Sequence, residues 1–264
     1  MSSSRTEMGG EEDLGAAADM APQIASLLAQ EQEKARVTLH RCMKTLVKLL
    51  RVRGYSITEI GGTEANEKGE IDVDSAIEPF KNKQTVEMAE SNKSILMRAT
   101  VVDPPKFSSA WALGYPKHVN IIVMAIGLGN VESMKEIMDK MAEENIRMAI
   151  IVSRQSLSAY SRKYLTEVTG EFGSIPNGVV QHFQYAELQA AIVDHSMVPR
   201  HVPLNAAMRA VVVERYAGGK FPRMLITDPM VRFLGLPLGT IICVREVYGR
   251  EQSVLNYFEV YDIY

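Results

Sequence analysis

The sequence has few cysteines, no large excess of charge and no long apolar run. Only Cys42 and Cys243 occur among its 264 residues, so neither a disulfide framework nor a cysteine-based zinc site is expected. The formal net charge of −3 does not indicate a protein that coats DNA or a membrane surface. No apolar run approaches the roughly 20 residues of a transmembrane helix, and the first residues lack a basic-then-apolar signal pattern. We therefore expect a soluble intracellular protein with no membrane partner.

Charge changes sharply along the first 53 residues. Residues 1–35 carry seven acidic and two basic side chains, which is typical of a disordered acidic extension. Residues 36–53 carry six basic side chains and no acidic one. Apolar side chains there recur at helical spacing opposite a basic face, which predicts a helix that Gly54 ends. The apolar positions are Leu39, Met43, Leu46 and Leu50, and the basic face consists of Arg41, Lys44, Lys48 and Arg51. Such a face is either simply solvated or in contact with phosphate.

The remaining pattern predicts two domains. Residues 58–117 are charged and irregular, and suggest short helices, one strand and long loops. A strand at 119–126, a helix at 131–144 and a strand at 147–153 form a βαβ unit, which a helix at 156–167 and a strand at 178–183 extend. A proline-marked boundary precedes a helix at 204–216 and a hairpin within 240–260. The predicted fold class is therefore α/β plus α+β: a domain at 36–193 with a βαβ-containing sheet and flanking helices, and a small domain at 194–264 with short helices and a β-hairpin.

Backbone-setting residues crowd the segment before the hairpin. Asp228 is placed to cap a one-turn helix, with Pro229 at the first helical position, where its missing N–H costs nothing. Gly235 follows the turn, as expected of a left-handed residue at a helix end, and Leu236 is placed to fold back onto the helix. Leu236 to Gly239 then predicts a tight turn. The segment predicts a rigid platform without catalytic groups.

No group of side chains forms a convincing catalytic, cofactor or metal site. Gly127 and Gly129 lie between a strand and a helix, as in a dinucleotide-binding loop, but Glu132 takes the place of the third glycine. We expect a simple turn there. The histidines at 182, 195 and 201 lack cysteine neighbours, so loop or interface roles are favoured over metal binding. The alternating acids at 70–74 lack the glycine of a calcium loop and predict a solvated loop.

The C-terminal third resembles the shared jaw-and-assembly subunit of eukaryotic nuclear RNA polymerases, whose C-terminal part corresponds to a separate small subunit of the archaeal RNA polymerase. The family pattern is H-x-L-V-P-x-H, then R-Y, L-P-R-I, D-P-V and Y-L-G-L-x-x-G. The matching residues here are His195, Val198, Pro199, His201, Arg215, Tyr216, Pro222, Arg223, Asp228, Pro229, Leu234, Gly235, Leu236 and Gly239. A fainter resemblance upstream includes Arg53-Gly54-Tyr55, which matches the R-G-Y that ends the family's first helix.

The resemblance implies a non-catalytic polymerase subunit with no cofactor or metal of its own. Its C-terminal domain would dock on the largest subunit through the matched residues, among other polymerase subunits and not as a homo-oligomer. Its jaw domain would lie beside downstream double-stranded DNA and make weak, non-specific contacts. The positions suggested for these contacts are Ser156, Ser158, Ala159 and Arg162, where "SLSA" replaces the family's Thr-Pro-Ser-Ala. A nuclear location follows.

The chain departs from the family where it lacks three basic residues. Pro237, Leu238 and Cys243 stand where the family usually has Lys-Arg before the last glycine and a Lys in the next strand. The chain is then either a subunit shared by polymerases I, II and III or a divergent copy dedicated to one of them. These losses and the acidic extension are consistent with a dedicated copy, for which we prefer RNA polymerase I with its nucleolar location. The alternatives outside this family are a small-molecule or nucleotide-binding enzyme built on the βαβ unit, and a free-standing DNA-binding factor.

Overall fold

A computed structural model describes residues 39–66, 70–101, 120–127, 129–169, 173–175, 178–216, 220–248 and 252–262. The acidic extension predicted at 1–35 lies outside these residues. Two sheets organise the described chain, one of six strands and one of four. Mixed helices and sheets agree with the predicted α/β plus α+β class. Among the described residues, no helix combines the length and apolarity needed to cross a bilayer.

The first sheet has the strand order β2-β1-β3-β4-β5-β6. Strand β3 runs antiparallel to both of its neighbours, β1 and β4, whereas β4, β5 and β6 are parallel. The parallel strands need crossover connections, and helices α4 and α5 supply them. The strands are β1 (Tyr55–Ile60), β2 (Thr63–Glu64), β3 (Ile95–Val101), β4 (Asn120–Ile126), β5 (Met148–Ser153) and β6 (Val179–Gln184), and the crossover helices are α4 (Val131–Glu143) and α5 (Ala159–Thr169). The βαβ unit predicted from the sequence is confirmed within three residues at each boundary.

Helices cover both faces of this sheet. On one face, α4 and α5 pack their apolar sides against β4 and β5 in a core that includes Met124, Ile137, Met138, Ile151 and Leu165. Helix α1, helical through residues 39–52 where the description begins, covers the other face. Parallel strands covered on both faces are apolar throughout, which accounts for the continuous run in β4.

The amphipathic pattern predicted for α1 is confirmed. Its four apolar marker residues are fully buried, and the side chains of its basic face are exposed. Two of the basic residues already pair within the chain, because Lys44 contacts Asp74 and Lys48 contacts Asp194, each at 3.1 Å. The exposed carboxylate partners make these pairs weak.

Residues 58–117 contain more sheet than the sequence suggested. The prediction of one strand was wrong, because β1, β2 and β3 all lie in or enter this region. Ser56 and Thr58 alternate with buried apolar residues of β1, and a bulge between Ile57 and Glu59 in the β1–β3 pairing interrupts that alternation. The acidic segment at 70–74 is exposed but is not wholly a loop, since Asp72 caps α2 (Val73–Ile77). A 3₁₀ turn at Glu78–Lys81 and helix α3 (Lys83–Ser91) follow. Residues 102–119 lie outside the described residues.

The second sheet has the strand order β7-β9-β10-β8. Strands β9 and β10 form the predicted hairpin, β7 pairs antiparallel with β9, and β8 pairs parallel with β10. One face packs on helix α7 (Pro229–Leu234) through Val231, Leu236, Ile242, Val244 and Val260. The elements are β7 (Arg200–Pro203), α6 (Ala206–Arg215), β8 (Arg223–Leu225), α7 (Pro229–Leu234), β9 (Ile241–Tyr248) and β10 (Gln252–Tyr261).

Helix α7 has the ends that the sequence predicted. The Asp228 carboxylate accepts from the N–H groups of Met230 at 2.8 Å and Val231 at 3.3 Å. Gly235 has φ of 65°, and Leu236 N–H donates to the Val231 carbonyl at 3.1 Å, which is the pattern of a Schellman cap. The following turn is shifted by one residue from the prediction, because Thr240 N–H donates to Pro237 O and Gly239 takes the third position with φ of 77°.

Arg53 joins the first sheet to the second. It is only 7% exposed, and its guanidinium donates to the carbonyls of Phe233 at 2.9 Å and Arg232 at 2.7 Å and to the Gln181 side chain at 2.7 Å. The two carbonyls belong to the last turn of α7, where a cation is favoured by the orientation of the peptide dipoles. Phe233 itself packs into the core of the first sheet. We call each sheet with its helices a unit. The short helix α7 therefore packs against both units.

Arg232 strengthens the same junction from the opposite direction. Its guanidinium donates to His182 O at 2.6 Å, pairs with the Glu187 carboxylate and lies 4.8 Å from the centre of the Phe183 ring. Burial alone would raise the pKa of Glu187, but the hydrogen bond from Arg232 and the backbone N–H of Gln184 lower it overall. These paired groups fix the relative position of the two sheets.

Candidate assembly surface

The second sheet is packed on one face and largely open on the other. Helix α6 lies over the open face, yet no residue of α6 is buried. Its side chains Met208 and Val211 remain 52% and 62% exposed. An apolar helix face left half in water beside an apolar sheet is typical of a protein–protein interaction surface.

A groove of about 550 Å³ runs between α6 and the open face. The alternation of strands β7, β9 and β10 decides which side chains line it. In register, Val202 of β7, Cys243 of β9 and Tyr257 of β10 form one row, and Leu255 lies one step further along β10. The lining from the helix and the preceding loop consists of Leu204, Ala207, Met208, Val211 and Val212. The floor and one wall of the groove are therefore apolar.

Two arginines form the basic end of this groove. Arg200 and Arg245 are directly opposite on β7 and β9, and both line the groove. Like charges in directly opposed positions destabilise a sheet. Among the described residues, no carboxylate forms an ion pair with either guanidinium. The groove thus combines apolar walls with two adjacent positive charges that the described chain leaves unpaired.

Aromatic side chains close the other end. Tyr216, at the end of α6, contacts Tyr257 with ring centres 5.4 Å apart and Phe221 with ring centres 6.0 Å apart. Burial raises the pKa of Tyr257, and it also raises the pKa of Cys243, against the effect of a hydrogen bond between the two side chains. Tyr216 is 49% exposed, so this cluster offers aromatic surface to a partner.

The structure divides the predicted assembly residues into groups with different surroundings. Arg215, Tyr216, Pro222 and Arg223 are exposed near the aromatic end of the groove. Asp228, Pro229, Leu234, Gly235 and Leu236 build α7 and its cap, which faces the junction with the first sheet. Gly239 lies in the turn before β9. The remaining four lie in the segment that leads into β7 and in β7 itself: His195, Val198, Pro199 and His201.

Local hydrogen bonds occupy the two histidines of that segment. His195 Nδ1 accepts from Met197 N–H at 3.2 Å, and His201 Nδ1 lies 2.7 Å from Pro199 O. His195 lies in a loop, as expected, whereas His201 belongs to strand β7. Among the described residues, no group of three or more His, Cys, Asp or Glu side chains is arranged to hold a metal ion.

Sequence reasoning did not identify the groove. Its floor uses alternate residues of three strands that are separated by up to 55 positions in the chain, from Val202 to Tyr257. One local signal was present, because the sequence of α6, AAMRAVVVER, is apolar on more than one side. A helix that is apolar on more than one side but not fully covered indicates a partner.

The predicted DNA-proximal residues lie together at one edge of the first sheet. Ser156, Ser158, Ala159 and Arg162 are all exposed around the start of α5, after the carboxyl end of β5. The predicted helix start at 156 was three residues early, because residues 156–158 are not helical and the Ser158 hydroxyl accepts from Ser161 N–H at 3.0 Å. The basic helix face of α1 belongs to the other side of the sheet.

Gly129, one of the two glycines that resemble a dinucleotide loop, has a packing role. A Cβ on Gly129 would lie 3.0 Å from the backbone and side chain of Leu157. The Gly129 carbonyl accepts from Ser161 Oγ at 2.7 Å and Ser158 N–H at 3.2 Å. The close approach required of Gly129 is therefore to the neighbouring βα loop of the same sheet, which supports the turn that we expected.

A buried polar network lies beside that edge. Glu90 accepts from the Tyr185 hydroxyl and from Arg154 Nε, each at 2.8 Å. Burial, reinforced by the Glu90 carboxylate, raises the pKa of Tyr185. Because the carboxylate is satisfied by both partners, the network fixes β5 and β6 against α3.

Comparison with known proteins matches the segment that contains the groove. Residues 190–257 match the family described as RNA polymerase Rpb5, C-terminal domain. This range includes β7, α6, β9 and most of β10.

Relatives extend the similarity to most of the chain. The Caenorhabditis elegans protein described as DNA-directed RNA polymerases I, II, and III subunit RPABC1 is 25% identical over 219 residues, which are 80% of this chain and 90% of the relative. The Caenorhabditis briggsae protein of the same description is 24% identical over 214 residues, with the same coverage. The Arabidopsis thaliana DNA-directed RNA polymerase subunit 5-like protein 1 is 23% identical over 222 residues, 83% of this chain and 92% of the relative.

Proposed function

We propose, from the premise that this chain carries the Rpb5 C-terminal domain and resembles Rpb5-family subunits along most of its length, that it is a non-catalytic subunit of a DNA-directed RNA polymerase. RNA synthesis then belongs to the assembled enzyme, and this chain contributes surfaces. The resemblance noted in the sequence and the family match agree on the same C-terminal segment.

One structural observation supports a role in assembly. The domain that matches the family has a sheet face whose apolar and aromatic side chains are half exposed under α6. A monomeric protein rarely leaves such a continuous apolar face in water, so we assign it to the interior of the polymerase. The partner that we propose for it is the largest subunit, with other polymerase subunits as further neighbours.

The first sheet then forms the jaw. Its exposed edge at Ser156, Ser158, Ala159 and Arg162 presents hydroxyl groups and one cation to the solvent. Such groups suit loose contacts with phosphate, and they lack the arginine and amide arrangement that distinguishes bases. We therefore propose weak, sequence-independent contact with downstream double-stranded DNA at this edge.

The junction between the two units supports this division of labour. Arg53 and Arg232 each bond across it, and both units contribute to the buried surroundings of α7. A jaw fixed to its assembly domain keeps a constant position relative to the polymerase. That rigidity would let one anchored domain position the other beside DNA.

The polymerase class is the finer part of the proposal. The C. elegans and C. briggsae relatives carry a name that includes polymerases I, II and III, whereas the missing basic residues and the acidic extension favour a dedicated copy. We keep RNA polymerase I as the preferred polymerase class. The proposed location is the nucleus, and within it the nucleolus if the chain is dedicated to RNA polymerase I. Shared use by the three polymerases is the alternative.

Affinity purification of the full-length tagged chain tests both the proposed role as a polymerase subunit and the preferred polymerase class. We expect the largest polymerase subunit to co-purify, and mass spectrometry of the recovered largest subunits distinguishes one polymerase from three. Val211→Glu should reduce this recovery, because it puts a charge into the apolar groove. Met88→Glu is the matched control, since Met88 and Val211 are each 62% exposed and Met88 belongs to the first sheet's unit.

Recovery of no polymerase subunit with the wild-type chain would refute the proposed function. Equal loss with both variants would show that the groove has no special part in assembly. A single largest subunit indicates a dedicated copy, and three indicate a shared subunit.

A further inference from the structure

We infer that the groove between α6 and the second sheet binds an amphipathic helix of the largest polymerase subunit that carries two carboxylates three or four residues apart, which pair with Arg200 and Arg245. This inference rests on the proposed function and specifies the chemistry of the partner. It assigns a specific task to two arginines that the described chain leaves without carboxylates.

Charge complementarity is the first support. Arg200 and Arg245 occupy directly opposed positions on adjacent strands, both are exposed and both line the groove. Their mutual repulsion opposes folding of the isolated chain, and a pair of carboxylates would turn it into attraction. The apolar part of the groove excludes nucleic acid as the occupant, because phosphates would not fill it.

Spacing is the second support. Side chains in directly opposed strand positions have Cβ atoms about 4.5–5.5 Å apart. Residues three or four apart on a helix have Cβ atoms about 5–6 Å apart. Two acidic residues at that helical spacing therefore match the two arginines one to one.

The apolar lining is the third support. Next to the arginines, Val202, Cys243 and Leu255 form a floor, and Met208 and Val211 form the wall opposite. The groove volume of about 550 Å³ accommodates a few apolar side chains and not a whole domain. A helix with apolar residues on the same face as its two acids meets both requirements, as in other helix-in-groove interfaces.

The chain carries its own probe for occupancy of the groove. Burial raises the pKa of both thiols, to about 12 for Cys42, but Cys42 is fully buried whereas Cys243 lines the groove and is partly exposed. These are the chain's two cysteines. A maleimide should therefore label Cys243 in the free, folded chain and leave Cys42 unreacted.

The first experiment compares maleimide labelling of the free chain and of the chain within purified polymerase. We expect Cys243 to become protected by about tenfold or more on assembly, because the helix would cover it. Labelling the free chain with a bulky maleimide should also prevent incorporation. A Cys243→Ser chain treated in the same way should still assemble, which controls for the reagent.

The second experiment tests the charges. Arg200→Glu combined with Arg245→Glu should lower recovery of the largest subunit by about tenfold or more, since the substituted carboxylates would repel those of the partner. Arg147→Glu reverses one exposed arginine of the first sheet's unit, half the charge change of the double variant, and should leave recovery unchanged. If the double reversal does not fold, Arg200→Gln with Arg245→Gln replaces it, and the wild-type complex should then be the more salt-sensitive of the two.

The third experiment identifies the partner segment with a defined probe. The full-length chain is applied to overlapping synthetic peptides that span the largest subunit. We expect binding to peptides with two acidic residues three or four apart among apolar residues, and loss of about tenfold in binding when both acids are replaced by Gln or Asn.

The results of these experiments distinguish failure of this inference from failure of the proposed function. Recovery of polymerase together with full labelling of Cys243 in the complex overturns the inference and leaves the proposed function intact. Binding to basic or neutral peptides, or unchanged recovery with the double charge reversal, also overturns it. Failure of the wild-type chain to recover any polymerase subunit overturns both.

Discussion

Replacing Gly235 by alanine should cost far more stability than the same change at Gly239. Both glycines have positive φ, 65° and 77°, so each substitution forces an alanine into the left-handed region at about 1–2 kcal/mol. Their surroundings differ. A Cβ on Gly235 would lie 2.8 Å from Arg53 Cζ and 3.0 Å from its Nε, whereas a Cβ on Gly239 meets nothing within 4 Å.

The additional cost at Gly235 comes from Arg53. Its guanidinium bonds to three oxygens at 2.7–2.9 Å, and a shift of roughly half an ångström would stretch at least one bond beyond the usual range of about 3.2 Å. Losing one hydrogen bond made by a buried charged group costs about 1.5–3 kcal/mol. We therefore expect Gly235→Ala to destabilise the chain by about 2.5–5 kcal/mol, against about 1–2 kcal/mol for Gly239→Ala.

Urea unfolding of the full-length chain, followed by circular dichroism, measures both values. The slope of the unfolding free energy against urea checks that each variant unfolds in the same way as the wild type. Arg53→Met serves as the second background, because a flexible methionine no longer presents a fixed group against residue 235. There Gly235→Ala should cost about as much as Gly239→Ala, since only the backbone term remains. Equal costs in the wild-type background would refute the proposed contact between Gly235 and Arg53.

Three further outcomes follow from the same structure. Asp228→Ala should lower the free energy of unfolding by about 0.5–2 kcal/mol through loss of the α7 cap, and an unchanged urea midpoint would contradict this. Burial lowers the pKa of His182 below the usual 6.5, so the unfolded chain takes up the proton first and stability falls as pH drops below that value. His182→Gln should therefore reduce the loss of unfolding free energy between about pH 7.5 and pH 5.5, and an identical loss in both proteins would argue against a half-buried neutral imidazole. Leu46→Ala should cost about 2–5 kcal/mol by opening a cavity, whereas Leu255→Ala, at a residue 50% exposed, should stay near 0.5 kcal/mol in the free chain; similar urea midpoints for the two would contradict the burial pattern.

Local chemistry was predictable from the sequence because short-range geometry decides it. The cap at Asp228, the left-handed Gly235 and the return of Leu236 depend on residues within one helical turn. The two-sided burial of β4 and the apolar face of α1 likewise follow from periodicity. The same backbone-setting residues carried the resemblance to the polymerase subunit, since caps and turns tolerate few substitutes.

The pairing of strands β1 and β3 was not predictable from the sequence. Their register contains a bulge, and their residues alternate only partly between polar and apolar. Strand pairing there depends on neighbours far along the chain, and β-propensity is strongly dependent on such context. The sequence of this region consequently suggested loops where the fold has a sheet.

The candidate assembly surface also combines features that the sequence predicts with features that depend on tertiary structure. The sequence alone determined the helices and the hairpin of the C-terminal domain, because the two ends of α7 are encoded by residues suited to one backbone conformation. Only the tertiary structure brought Arg200 opposite Arg245 and set Val202, Cys243 and Tyr257 in one row beneath α6. It also placed the Arg53 guanidinium on the last carbonyls of α7, 179 and 180 positions away in the chain. Contacts of that range depend on strand register and on the packing of two sheets, and no local periodicity encodes either of them.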